Sequence, residues 1–173
     1  ETNWMDLQKL DAGKAFANHF SGEGIPDLDG TIDLLADLGL GAIVEIKPSE
    51  GHDVETAEKT IQVVKERWPT TLPTPLISSF SKESLAAAQK SAPELPRALN
   101  VWKNLDSCLE SAEELACVAL HCRHKLIDEY NAREILEAGF DLRCFTVNSQ
   151  KRADALFCWG VQGIFTDFPE KFV

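Results

Sequence analysis

The sequence predicts an α/β chain: an incomplete TIM-type (β/α)8 barrel with six of its eight βα units present. Three observations predict it. Short apolar runs alternate along the chain with amphipathic stretches of helical period, a pattern that specifies parallel strands joined by right-handed crossovers. Polar residues stand at the carboxyl end of run after run: Glu45 and Lys47, Ser79, Asn100, His121, Thr146 and Asn148, then Thr166 and Asp167. A ring of such ends is an active-site rim. Finally, a whole barrel takes about 250 residues, so the 173 residues here amount to most of one, read as a single domain over residues 1–173. An open doubly wound sheet satisfies the alternation equally well, and the polar rim is what favours the barrel.

The central element is Ala42–Pro48, A-I-V-E-I-K-P. Its β-branched residues favour a strand, and Pro48, which cannot donate to a ladder, ends it. Strand side chains alternate, so Ile43, Glu45 and Lys47 share one face while Ala42, Val44 and Ile46 form a wholly apolar one. Ahead of it, Trp4, Leu7 and Leu10 recur at helical spacing, residues 11–27 read as loop, and Leu28–Leu38 reads as an amphipathic helix closed by Gly39. Beyond it the expected order is helix Val54–Arg67, strand Leu76–Phe80, helix Lys82–Lys90 and strand Arg97–Val101. A helix at Leu109–Leu115, strand Cys117–His121, helix Asn131–Glu137, strand Leu142–Val147, helix Gln150–Trp159 and strand Gln162–Thr166 complete it. Asp167 reads as the N-cap of a terminal helix.

Composition excludes several classes of function. With 28 acids against 17 bases the net charge is −11, spread rather than blocked, which argues against nucleic acid or an anionic membrane as partner. No apolar run reaches the roughly 18 residues of a bilayer span, and the start lacks a signal-peptide pattern. The five cysteines form no C-x-x-C pair and read as buried thiols of a reducing compartment, hence a cytoplasmic protein. An acidic surface and an apolar barrel seam are compatible with a homo-oligomer, although no interface is legible. Neither a G-x-x-x-x-G-K-[ST] phosphate loop, a G-x-G-x-x-G turn nor a G-x-S-x-G elbow is present.

Glu45 offers a carboxylate suited to a hard cation, Mg²⁺ or Ca²⁺, and Lys47 an ammonium for a phosphate oxygen. The alternative is a buried Glu–Lys ion pair that serves only the fold. His121 and His124 lie three apart; as a zinc pair they would need further ligands, and His121 as a substrate contact competes with a merely hydrogen-bonded histidine. Thr146 and Asn148, alternating with Phe145 and Val147, face the barrel axis, where they orient a ligand or tie neighbouring strand ends. Phe80 and Trp102 wall an apolar part of a pocket or pack in the core. His19 and His52 read as surface groups.

An ordered series of motifs, L-D-A-G at Leu10–Gly13, G-I-P-x-L at Gly24–Leu28, E-I-K-P at Glu45–Pro48 and S-S-F at Ser78–Phe80, resembles the glycerophosphodiester phosphodiesterase family, specifically its short cytoplasmic bacterial branch. A-P-E-L-P-R at Ala92–Arg97, T-V-N at Thr146–Asn148 and G-V-x-G-I-F-T-D at Gly160–Asp167 continue the resemblance across the chain. It implies metal-dependent hydrolysis of glycerophosphodiesters to glycerol 3-phosphate and an alcohol, with a small-molecule glycerophosphodiester as partner. It implies Glu45 as a metal ligand, Lys47 as the catalytic phosphate-contacting lysine, and Phe80, Trp102, His121 and Asn148 near the substrate. The family's His-Arg-Gly motif, its Glu-x-Asp metal ligands and its His-Asp motif belong to its first two strands; none precedes Glu45 here, and the resemblance thus implies that those first two strands are missing. With them go the acid–base histidines, so the chain alone is expected to be inactive. The competing expectation is a non-catalytic binding or scaffold domain derived from the same barrel.

Overall fold

The computed structural model describes residues 2–172. Among them, six strands form one sheet: β1 (Ile43–Ile46), β2 (Leu76–Ser79), β3 (Arg97–Val101), β4 (Ala119–Arg123), β5 (Asp141–Phe145) and β6 (Gly163–Ile164). Every neighbouring pair is parallel, and the order in space is the order in sequence. A doubly wound sheet reverses its strand order at a switch point; this one does not. Ile43 of β1 and Phe165, just past β6, line one cavity. In a flat sheet five interstrand spacings would hold them about 24 Å apart. The sheet is therefore curled into a half-barrel, as the incomplete-barrel expectation requires.

The helices alternate with the strands. They are α1 (Trp4–Leu7), α2 (Leu28–Leu38), α3 (Asp53–Arg67), α4 (Lys82–Ser91), α5 (Cys108–Glu114), α6 (Glu129–Glu137) and α7 (Gln150–Cys158). Sequence chemistry sets their limits. Asp27 accepts from the Gly30 N–H at 2.7 Å to start α2, and Gly39, at φ +66°, stops it, because a glycine enters the left-handed region without steric cost. Asp128 and Asn131 form a capping box on α6. In α3 the residues Ala57, Ile61 and Val64 recur on one face and are buried as expected. They belong to the core on the helix-covered side of the sheet, where Ile46 and Ile77 pack with Ala57, Ile61 and Ala88. A larger cluster joins Leu99, Leu120, Leu142 and Cys144 to Ala112, Ile135 and Leu156.

Arg97 pins the amino-terminal foot of the sheet. Its buried guanidinium donates to the carbonyls of Leu95 (2.7 Å), Leu115 (3.1 Å) and Ala116 (3.1 Å), and more weakly to Ala92 and Pro93 (both 3.4 Å). The loop ahead of β3 and the end of α5 are thus tied to one side chain. Residues 11–27 are loop as expected, with a single 3₁₀ turn at Asn18–Phe20. Asp11 closes that loop by accepting from the N–H groups of Lys14 (2.8 Å) and Gly22 (2.9 Å), which hold its carboxyl below the usual range.

Four expectations are corrected. β4 begins at Ala119 rather than Cys117, because the Cys117 N–H still closes α5 on the Ala112 carbonyl at 2.8 Å. That closure turns on Ala116, which is left-handed (φ 46°) without being a glycine. β6 shrinks to Gly163–Ile164, since Thr166 and Asp167 are drawn into side-chain bonds with Asn148. Asp167 caps nothing: the final 3₁₀ turn, Pro169–Lys171, has Phe168 at its N-cap position and no side-chain cap. Four cysteines are buried, but Cys158 is exposed near the end of α7. No helix among the described residues is long and apolar enough to cross a membrane.

Candidate active site

The inner face of the curled sheet, opposite the helices, encloses a cavity of about 410 Å³. Alternation along each strand decides what it sees. β1 contributes Ile43 and Glu45, whose ladder partner Ser78 comes from β2. Asn100 of β3 and His121 of β4 are likewise ladder partners and both line the cavity. Phe80, Trp102, Phe145 and Phe165, at or past the strand ends, form its aromatic wall.

Glu45 and Lys47 are both exposed, and neither takes part in an ion pair among the described residues. A buried Glu–Lys pair serving the fold is therefore not what this strand carries. The carboxylate of Glu45 faces the cavity, while Lys47 stands one residue beyond the end of β1 and is not among the lining residues.

The aromatic wall is built around Phe145. Its ring lies parallel to Trp102 (11°, centroids 5.9 Å apart) and edge-on to Phe80 (5.7 Å) and Phe165 (6.5 Å). The Arg123 guanidinium covers Trp102, 4.6 Å from the ring centroid. Phe80 and Trp102 were expected at this wall; Phe145 was expected on the opposite side from Thr146, yet both line the cavity. The reason is local. Strand alternation runs through Phe145, with Leu142 and Cys144 buried against the helices, and is lost where β5 ends.

His121 sits in the middle of β4, not at its end, and is 2% exposed. Its ring meets Phe165 edge-on at 5.0 Å. Nδ1 lies 3.1 Å from Oδ1 of Asn100, whereas Nε2 has no hydrogen-bond partner. Burial, with a smaller contribution from the Arg143 guanidinium, pushes its pKa down to about 4, so the ring is neutral at pH 7. His124 turns elsewhere and interacts with Arg152 through Nδ1, so the two histidines do not form a zinc pair.

Asn148 does not line the cavity. Its Oδ1 accepts from Thr166 Oγ1 and the Asp167 N–H, both at 3.0 Å, and its Nδ2 donates to Asp167 Oδ2 at 2.8 Å. Those bonds tie the chain after β5 to the chain after β6. Ser79, expected at the rim, faces the helices and donates to the Ile46 carbonyl at 2.7 Å; its neighbour Ser78 takes the inner position. Counting alternation from Glu45 across the ladder would have found Ser78. Alternation with the buried Leu142 and Cys144 would have put Arg143 on the inner face of β5, whereas nothing in the sequence marks Phe165.

A hard divalent cation takes six to eight oxygen ligands, some of them waters. Among the described residues no group of three or more His, Cys, Asp or Glu side chains could hold one. Glu45 alone does not make a metal site.

The profile of the Glycerophosphoryl diester phosphodiesterase family matches residues 1–171. The chain is 27% identical over 186 residues to a glycerophosphodiester phosphodiesterase of Bacillus subtilis, covering 96% of this chain and 62% of the relative. It is 30% identical over 169 residues to a glycerophosphodiester phosphodiesterase of Caldanaerobacter subterraneus, covering 97% of this chain and 68% of the relative. Among solved structures, a phosphodiesterase of Oleispira antarctica in complex with the product sn-glycerol 3-phosphate superposes with a TM-score of 0.93 at 33% identity. That superposition covers 98% of this chain and 68% of the other. The chain thus spans less than two thirds of the Bacillus relative.

Proposed function

This chain belongs to the glycerophosphoryl diester phosphodiesterase family, and from that premise we propose that its cavity is the substrate-facing wall of a barrel domain that hydrolyses glycerophosphodiesters to sn-glycerol 3-phosphate and an alcohol. The observation that carries the proposal is Glu45: an unpaired carboxylate on the inner wall of a curled parallel sheet, near the carboxyl ends where such folds do their chemistry. The likeness to a phosphodiesterase in complex with sn-glycerol 3-phosphate supports the same class of ligand.

In this reading Glu45 supplies one ligand of a divalent cation, Mg²⁺ or Ca²⁺, whose remaining ligands the described residues do not provide. Such a cation would offset charge on the phosphoryl oxygens. Lys47, free at the rim, adds a mobile positive charge that reaches the phosphate from solvent. Phe80 and Trp102 exclude water from the apolar side of the substrate. His121, neutral at pH 7 with a pKa near 4, is a weak base, so in this reading it contacts the substrate rather than moving a proton. The 173 residues by themselves are expected to bind the product without turning over the diester.

A non-catalytic binding domain is the second reading, and the single carboxylate in the cavity is what favours it. Both readings require the cavity to bind phosphate esters. Titrating sn-glycerol 3-phosphate into the labelled chain should shift the amide resonances of Glu45, Ser78 and His121. Shifts confined to the outer helices would defeat the site, and unaltered affinity in Lys47→Ala would remove the role given to that lysine.

A further inference from the structure

Beside the active-site cavity lies a second one of about 420 Å³, at the carboxyl end of β3 between α4 and α5. The two share Phe80, Asn100 and Trp102, so one ligand can lie across that edge with an end in each. The charged groups lining the second cavity are Lys82, Lys103 and Asp106, two cations against one anion. Lys82 donates to Ser111 Oγ at 2.5 Å, which holds its ammonium at the wall. Lys103 takes part in no hydrogen bond or ion pair among the described residues. In a chain with 28 acids and 17 bases, this excess of positive charge is a local feature.

The edge between the cavities is charged in the same sense. Arg123, the last residue of β4, follows His121 by two positions and so shares the inner face. Its guanidinium lies over Trp102, 4.6 Å from the ring centroid, and has no hydrogen bond or ion pair among the described residues. Aromatic rings gathered at a cavity would suit a quaternary ammonium, which is drawn to their π faces. Here a guanidinium already covers the indole, the ring that attracts a cation most strongly, and its charge repels a second one. The same group, with Lys82 and Lys103, attracts a carboxylate or phosphate.

We propose that the second cavity is a head-group subsite selective for an anionic alcohol moiety, with Arg123 denying Trp102 to a quaternary ammonium. The inference rests on the phosphodiesterase reading and deepens it. With the phosphate in the first cavity, the head group crosses the edge at Phe80 and Trp102, and its anionic end meets Lys82 and Lys103. Asp106 is left for an ammonium on the same head group. The preferred diesters are those whose alcohol bears a carboxylate or a further phosphate. Overall charge does not produce this preference, since a chain of net charge −11 repels anions in general.

Three diesters test it. sn-Glycero-3-phosphoserine and sn-glycero-3-phosphoethanolamine differ by one carboxylate, and sn-glycero-3-phosphocholine makes the ammonium quaternary. In calorimetric titrations of the chain at low salt the serine diester should bind about tenfold more tightly than the ethanolamine diester, and the choline diester no more tightly than the ethanolamine one. The serine diester should also move the Asn104 and Ser111 amide resonances, which sn-glycerol 3-phosphate leaves in place. Lys103→Gln should bring the serine and ethanolamine affinities within about threefold. Arg123→Gln should lower the serine affinity and raise the choline affinity, each by about threefold, a change of preference that a folding defect does not produce. Choline bound as tightly as serine, or Asn104 and Ser111 unmoved by the serine diester, would overturn the inference, while binding of sn-glycerol 3-phosphate would keep the phosphodiesterase reading. Failure of sn-glycerol 3-phosphate and of every diester to bind would overturn both. A parallel loss of all three diesters in Arg123→Gln would also refute the subsite.

Discussion

Glu45 on β1 and Ser78 on β2 are partners in the parallel ladder, and both face the cavity although the carboxylate has no ion pair to hold it there. A charge kept at a protein's concave face without a structural partner contributes little to folding. Glu45→Gln is therefore expected to leave the unfolding free energy, measured in urea, within the roughly 0.5 kcal/mol scatter of neutral surface changes. Its effect should be chemical. In a barrel completed with the first two strands of a family member, release of glycerol 3-phosphate should be abolished by a chelator and should fall by at least about 100-fold in Glu45→Gln, a loss of the size expected for a catalytic electrostatic contact. Turnover indifferent to the chelator would end the cation role assigned to this residue.

Arg97 meets five carbonyls and no carboxylate. Removing the guanidinium would strand carbonyl groups at the buried foot of β3, and each unsatisfied buried group costs about 1–3 kcal/mol. Arg97→Met should lower stability by roughly 2–4 kcal/mol in urea unfolding. Arg97→Lys should recover only part of it, because a single ammonium cannot reproduce the planar fork of donors. Equal stability of the lysine variant and the wild type would show that charge, not fork geometry, is what the site requires.

Much of this architecture is legible from short-range chemistry. Asp27 and Gly39 delimit α2 to the residue, and the alternation around Glu45 correctly puts Ile43 and Glu45 on the cavity side, with Val44 and Ile46 in the core. The reading fails where a residue departs from its usual conformation or finds a distant partner. Ala116 adopts a left-handed backbone that sequence assigns to glycine. That delays β4 by two residues and carries His121 from the expected rim to mid-strand. Asn148 carries the donors and acceptors of a ligand contact, yet spends them on Thr166 and Asp167, which lie 18 and 19 residues further along the chain. Phe145 and Phe165 are ordinary apolar residues in sequence; only the curl of the sheet brings them to one wall.

The depressed pKa of His121 gives stability a direction with pH. Its folded value is about 4, against an unfolded value of roughly 6.5. Between the two, the unfolded chain binds more protons than the folded one, so stability is present above the unfolded value and is lost as pH falls toward the folded one. The loss from this group should be about 2 kcal/mol between pH 7 and pH 5, measured by urea unfolding. His124, also lowered by burial, adds in the same sense. His121→Gln should make the profile shallower over this interval. A variant as acid-sensitive as the wild type would place the proton uptake elsewhere.

Gly13, within the L-D-A-G motif, is fixed by a close approach rather than by an unusual φ. A Cβ built on it would stand 2.0 Å from the Phe20 carbonyl oxygen and 2.8 Å from Cβ of Glu23. The same loop is closed by the Ala12 and Gly13 N–H groups on the Glu23 carbonyl, at 2.8 and 3.2 Å, and by Asp11. Since the obstacle is backbone, no rotamer change relieves it, and Gly13→Ala must open residues 11–23. The expected result is rapid limited proteolysis inside that loop, with the sheet, which shares none of these bonds, losing little stability. Asp11→Ala should produce a milder version, because it removes the carboxylate bonds and leaves the backbone pair on Glu23 intact. A Gly13→Ala protein as resistant to protease as the wild type would show that the close packing of Phe20 against residue 13 is not what closes the loop.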